Sequence, residues 1–235
     1  WIFYMQTEDY YLYKQYIEIL RELLNECGVN TNKIKQGDIP VFYNEYKLRT
    51  FENINHEVFV SKELFKNKEY QKFKYVINQI IEKAKTGNNL NMYLSKSIKD
   101  NIIKPDKMLN DWGVVHLHLG DKEKNGYVNR TKELLFIYRD NQDKTKLYIL
   151  DIFSHGDWSM KKTIEILRNN WKKAIEKYRT KGITDVYPKL DDDGHKQIRD
   201  INANAPIVIE NDSYLTLGGG FNLMGTNILS TLFMI

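Results

Sequence analysis

DWGVVHLHLG (111–120), TKELLFIYRD (131–140) and KLYILDIFSH (146–155) decide the fold of this chain. Each is a short apolar run rich in Val, Ile, Leu, Phe and Tyr. They are separated by the polar, turn-forming linkers DKEKNGYVNR (121–130) and NQDKT (141–145). Runs of this length bounded by Gly, Asn and Asp are strand signals, and short linkers make sequential antiparallel pairing the simplest topology. The reading is a meander of three strands over 113–119, 133–139 and 146–153.

Outward from the meander the periodicity turns helical. In DYYLYKQYIEILRELLNECG (9–28), Tyr13, Tyr16, Ile17, Leu20, Leu23 and Leu24 recur at helical spacing and Gly28 stops the run. Two strand-like pieces follow, Pro40-Val41-Phe42-Tyr43 and Val58-Phe59-Val60. Ser61 then caps a predicted helix over 61–85, with Glu63 early and lysines late as the helix dipole favours, ended by Gly87-Asn88-Asn89. The stretch 94–111 is short-helical or irregular, with Pro105 as a break. After the meander, Ile164, Ile166, Leu167, Trp171 and Ile175 mark an apolar face on a helix over 159–179. A short helix after Asp191, a hairpin in IVIENDSYLTLGGG (207–220) and an apolar ending complete the chain. The fold class is α+β: a central antiparallel β-sheet packed against amphipathic helices. It is read as a single domain over 1–235, with a mainly helical part (1–111), the sheet and its helix (112–180), and a C-terminal hairpin extension (181–235).

Composition narrows the function. With 235 residues, a hydrophobic fraction of 42% and 16 Tyr and 10 Phe, the chain carries enough apolar surface to fold, which argues against disorder. The single Cys27 excludes an internal disulfide framework and fits a reducing, cytoplasmic compartment. No apolar run approaches the roughly 20 residues needed to cross a bilayer, so no membrane partner is expected. A net charge of +4 is compatible with an acidic partner such as RNA.

Histidine is the informative residue. In a strand alternate side chains share a face, so His116 and His118 point one way while Val115, Leu117 and Leu119 point the other. His155 ends the third strand, and so three of the five histidines fall on or beside one sheet. Imidazoles titrate near neutrality and serve as acid, base or ligand. Asp151 shares the parity of Leu147, Ile149, Phe153 and His155, at the core edge. Arg130 precedes the second strand and Arg139 ends it, and either has the fork that grips a phosphate. Gly218-Gly219-Gly220 lacks the downstream Lys-Ser/Thr of a phosphate loop and reads as a flexible turn. Asp191, Asp192, Asp193 and His195 read as the cap and first turn of a helix rather than a chelate.

His116, His118 and Glu123 also reproduce the spacing HxHxxxxE, which partly resembles the first motif of the cupin barrels. That resemblance implies a metal site on these three residues and ranks third. The order HLHLG, KELLFIY, YILDIFSH after helical sequence resembles the sheet of the RelE/YoeB-like toxin endoribonucleases. It implies metal-independent cleavage of RNA, without a cofactor, in a toxin or phage-defence setting. Carried over, it makes His116 or His118 the base, Arg130 the phosphate ligand and His155 the acid. It implies RNA, ribosome-bound or free, and an antitoxin protein as partners. The alternative from a different class is a non-catalytic interaction module of a defence or mobile-element system, with structural histidines.

Overall fold

The computed structural model describes residues 7–100, 105–154, 161–183, 185–222 and 225–228. Among these, seven α-helices surround one principal sheet: α1 (Thr7–Glu26), α2 (Ile39–Arg49), α3 (Lys62–Lys66), α4 (Tyr70–Lys85), α5 (Lys107–Trp112), α6 (Lys162–Ile175) and α7 (Asp192–Asp200). The sheet strands are β1 (Glu57–Val60), β2 (Val114–His118), β5 (Glu133–Arg139) and β6 (Lys146–Ser154), in the order β1-β6-β5-β2. Two small hairpins, β3 (Glu123–Lys124) with β4 (Tyr127–Val128) and β7 (Ile207–Ile209) with β8 (Asp212–Tyr214), stand apart from it.

The α+β class and the meander agree with the sequence: β2, β5 and β6 pair antiparallel in chain order. The fourth strand makes the sheet mixed, because β1 joins β6 parallel, Val58 opposite Leu147. Both faces of the meander are buried. Val115, Leu117, Leu135, Ile137, Leu147 and Ile149 pack against Phe73, Val76, Ile77 and Ile80 of α4. Val114, Leu134, Phe136, Tyr138 and Leu150 pack against Ile164, Ile166, Leu167 and Ile175 of α6 and against Ile207, Ile209 and Tyr214. The second face was expected to be polar around its imidazoles; it is a second core in which the histidines are an interruption. Burying each large side chain contributes roughly 1.5–3 kcal/mol.

One register break alters the expected parity. Phe136 opposes Asp151 and Ile137 opposes Ile149, so Leu150 is an extra residue on β6. Beyond this bulge the faces exchange: Ile152 joins the α4 side and Phe153 the α6 side, where its ring centroid lies 5.1 Å from that of Phe136. Asp151 therefore leaves the face of Leu147 and Ile149. Its Oδ1 accepts from Asn67 Nδ2 at 2.7 Å, and burial pushes its carboxyl above the ordinary value.

Asn67 also explains why the helix predicted over 61–85 is two helices. Ser61 Oγ caps α3 by accepting from Leu64 N at 3.1 Å, and donates to the Leu150 carbonyl. Asn67 then spends its side chain on the sheet and on Glu69 N, breaking the helix before α4 begins. Pro40-Val41-Phe42-Tyr43 is a correction: these residues lie in α2, not a strand. Proline is tolerated in a first helical turn, where its missing N–H would have no partner. Ile39 and Phe42 are buried against Ile17, Leu20 and Leu24 of α1, so tertiary packing overrides the local β preference. The Gly218 turn is a second correction. Gly218 N donates to Asp111 O at 2.8 Å and Gly220 N to Asn110 O at 2.7 Å. A Cβ at Gly218 would lie 1.9 Å from the Leu109 carbonyl oxygen, so this glycine exists for close approach to α5 rather than for flexibility.

Candidate functional site

The helix α5 ends at Gly113, whose φ of 70° reverses the chain directly into β2. Its start is fixed by Asp106, which accepts from Leu109 N at 3.1 Å. This helix-to-strand corner sets the two histidines against the second core. His116 opposes Phe136 in the register, with ring centroids 6.1 Å apart, and His118 opposes Leu134. The two imidazoles meet edge to face at 6.5 Å, His116 half-buried and His118 buried.

Thr131 organises the end of this strand pair. Its Oγ1 accepts from Leu119 N at 2.9 Å and donates to Glu133 O at 2.6 Å. Its backbone N–H donates to Nδ1 of His118 at 3.4 Å. A ring nitrogen that accepts an amide proton carries none itself, so neutral His118 holds its hydrogen on Nε2. Such a ring is a hydrogen-bond donor through Nε2. His116, half-buried where His118 is buried, is the more accessible of the two to a substrate in the cleft.

Both imidazoles line one cleft of about 380 Å³ with Arg130, Ser95, Ser97 and the start of α5. Arg49 enters from the end of α2, and Lys196, Arg199 and Asp200 from α7. The spacing of three and four residues places these α7 side chains on one helix face. Five cations and two carboxylates line the cleft among the described residues. One carboxylate, Asp200, is paired with Lys107 at 3.0 Å, and the other, Asp106, caps α5. The surplus is cationic, the arrangement that concentrates and holds phosphate.

The α7 wall is anchored from beneath. Asp191 caps the helix by accepting from Gly194 N at 2.8 Å, in agreement with the capping role read from sequence. Arg199 Nε donates to Asp111 Oδ2 at 2.7 Å, and its guanidinium lies over Trp112 at 3.7 Å from the ring centroid. His195 meets the same indole edge to face at 5.4 Å. Burial, with Arg199 and Lys161 nearby, pulls the His195 pKa down to about 4, so this histidine is a neutral packing group.

Of the residues singled out from sequence, His116, His118 and Arg130 come together in the cleft. His155 lies outside the described residues. Glu123 is exposed on β3 and does not line the cleft, and no group of three or more His, Cys, Asp or Glu is placed to hold a metal among the described residues. The cupin-like trio is therefore not assembled. Arg139 sits at the other end of β5, its Nη1 donating to Leu48 O at 3.0 Å and its guanidinium 4.5 Å from the Phe51 ring centroid. Sequence reasoning missed Arg49, Lys196 and Arg199. The two on α7 were legible only as surface charges of a short helix, since nothing local says which wall that helix forms.

In comparison with known proteins, no family model, no curated protein and no solved structure matches the chain.

Proposed function

We propose that the cleft binds RNA and cleaves it by metal-independent general acid–base chemistry, as in toxin or phage-defence endoribonucleases. The observation that carries this reading is the sharing of one cleft by His116, His118 and a surplus of cations including Arg130 and Lys196. RNA supplies its own nucleophile, so the protein needs only a base, a proton donor and positive charge on the phosphate.

In this scheme His116 accepts the 2′-hydroxyl proton as the 2′-oxygen attacks phosphorus. Arg130 and the Nε2–H of His118 hold the non-bridging oxygens as their charge grows. Lys196 donates a proton to the departing 5′-oxygen, leaving a 2′,3′-cyclic phosphate and a 5′-hydroxyl. His155, the acid that the resemblance implies, lies outside the described residues, and the donor named here is the one on the described cleft wall. Sites of this kind act on free or ribosome-bound RNA, and an antitoxin covering the cationic cleft would silence it.

A second reading rests on the burial of His118 and its bond from Thr131: the histidine is structural and the cleft a phosphate-binding interaction surface. Purified protein incubated with total RNA in chelator, with and without ribosomes, separates the two. Cyclic-phosphate ends support cleavage. Intact RNA in both settings, with folded protein that retains RNA, supports the interaction surface.

A further inference from the structure

A second pocket, of about 310 Å³, opens at the far end of β5 from Arg130 and belongs to no part of the scheme above. We propose that it is a binding site for a small phosphorylated ligand of mononucleotide size. Lys47 of α2, Arg139 at the end of β5 and Lys144 of the following turn converge on it. Two ammoniums and one guanidinium are the usual grip for a phosphate, the guanidinium giving direction and the ammoniums charge.

Arg139 is held ready for that role. Its bond to the Leu48 carbonyl and its stacking on Phe51 fix the side chain before any ligand arrives, which lowers the ordering cost of binding. Burial lowers its pKa to about 10, so it stays cationic at neutral pH. The carboxylate in the wall, Asp140, is already neutralised: Lys177 Nζ lies 2.7 Å from both of its oxygens and the Tyr178 hydroxyl donates at 3.2 Å. It does not repel an anion in the pocket.

The rest of the lining suits a flat polar body. Asn44, Asn141 and Asn227 bring carboxamides, with Asn141 Nδ2 tied to Leu217 O at 3.1 Å and Asn227 Nδ2 to Gly218 O at 2.8 Å. Both Nδ2 hydrogens of Asn227 are spent, on Gly218 O and, at 3.3 Å, on Asn110 Oδ1, so it is Asn141, with its second Nδ2 hydrogen and its Oδ1, that presents donor and acceptor side by side to the edge of a nucleobase. Leu48 and Leu109 supply apolar surface for its faces. A volume near 310 Å³ lies at the small end of ligand pockets and suits one nucleotide rather than a strand. At the rim, exposed Glu52 accepts from Lys144 at 3.1 Å and approaches Lys47 at 3.9 Å. Exposed pairs of this kind are weak, so a phosphate displaces Glu52 readily.

The test is isothermal titration calorimetry of the full chain with AMP, GMP, CMP, UMP and inorganic phosphate, repeated on Lys144→Ala, Glu52→Gln and Arg130→Ala. All three side chains lie at the surface or rim, and circular dichroism checks that each variant is folded. The expected result is binding of at least one mononucleotide, weakened about tenfold by Lys144→Ala, as for the loss of one charge-assisted contact. Glu52→Gln tightens it and Arg130→Ala leaves its Kd unchanged. No heat with any nucleotide at millimolar concentration overturns the proposal, as does indifference to Lys144→Ala. Binding lost only in Arg130→Ala places the ligand in the histidine cleft instead and also overturns it. Inorganic phosphate binding as tightly as the best nucleotide removes the role of the amides and leaves a phosphate site only. Calorimetry reads binding and not cleavage, so this outcome is independent of whether the protein cuts RNA.

Discussion

Arg199 and Asp111 form an ion pair of 2.7 Å in which the side chains are only 3% and 2% exposed. The pair joins α7 to the corner between α5 and β2, the two elements that face each other across the cleft. A buried pair is poor evidence of net stability, because desolvation of both charges offsets their attraction. Its value here is geometric: it sets where the Lys196 wall stands relative to the imidazoles.

Removing one partner should be expensive. Asp111→Asn leaves the guanidinium buried without its counter-charge, and a loss of about 3–5 kcal/mol is expected by urea denaturation. Arg199→Met should cost a similar amount, and the double variant less than the sum of the two, because the partners share one interaction. Single-variant losses below about 1 kcal/mol would show that the pair is not dehydrated in solution.

His195 predicts how stability depends on pH. Its folded pKa, about 4, lies below the ordinary 6.5, so between these values the unfolded chain binds a proton that the folded chain refuses. Stability is therefore full above about pH 6.5 and falls as pH drops toward 4, by about 3 kcal/mol for the whole shift that burial, Arg199 and Lys161 together produce. His195→Gln should flatten that part of the profile. An unchanged slope in the variant between pH 6.5 and 4 would assign the effect to other groups.

Gly218→Ala tests the close approach of the 217–220 turn to α5. The added Cβ meets the Leu109 and Asn110 carbonyl oxygens at 1.9 and 2.5 Å, and both belong to helix backbone that cannot step aside cheaply. A loss of about 1–3 kcal/mol or more is expected. Gly126→Ala serves as the comparison, since no atom lies within 4 Å of the Cβ it would add, although its φ of 77° carries a backbone penalty of its own. Equal thermal shifts for the two would mean that space at Gly218 is not the constraint.

For RNA cleavage, His116→Ala should lower the rate by about 10²–10⁴-fold, the usual worth of a positioned base, with the fold intact. Arg130→Ala should lower it comparably if its charge is used in the transition state, and Arg130→Lys should recover part of it. The rate should rise with pH as His116 loses its proton, and the rising limb should disappear in His116→Ala. A rising limb kept in that variant would place the base elsewhere.

Lysine-to-alanine changes on the exposed side of α4, at Lys74 and Lys85, should only weaken RNA binding and reduce its salt dependence, because such contacts neutralise phosphate without touching the reacting atoms. A loss of cleavage at saturating RNA in these variants would contradict the placement of the site in the β2 cleft.

Local sequence was enough for much of this protein. Alternation of apolar residues determined β2, β5 and β6 and their antiparallel order, and it placed His116 and His118 on one side of a strand. Helical periodicity determined α1, α4 and α6, and Ser61 and Asp191 marked helix starts that the structure shows as caps. These features depend on residues a few positions apart, so backbone geometry alone carries them. What tertiary structure decided involves partners distant in the chain. Burial against α1 made 39–49 a helix, and Asn67, bonded to Asp151 and Ile152 more than eighty residues away, broke the helix over 61–85. The bulge at Leu150 exchanged the faces of Ile152 and Phe153, and the Asp111–Arg199 pair brought α7 across from β2 to complete a cationic cleft. The energy of each of these comes from desolvation and contact between segments that are neighbours only after folding, and no local pattern encodes it.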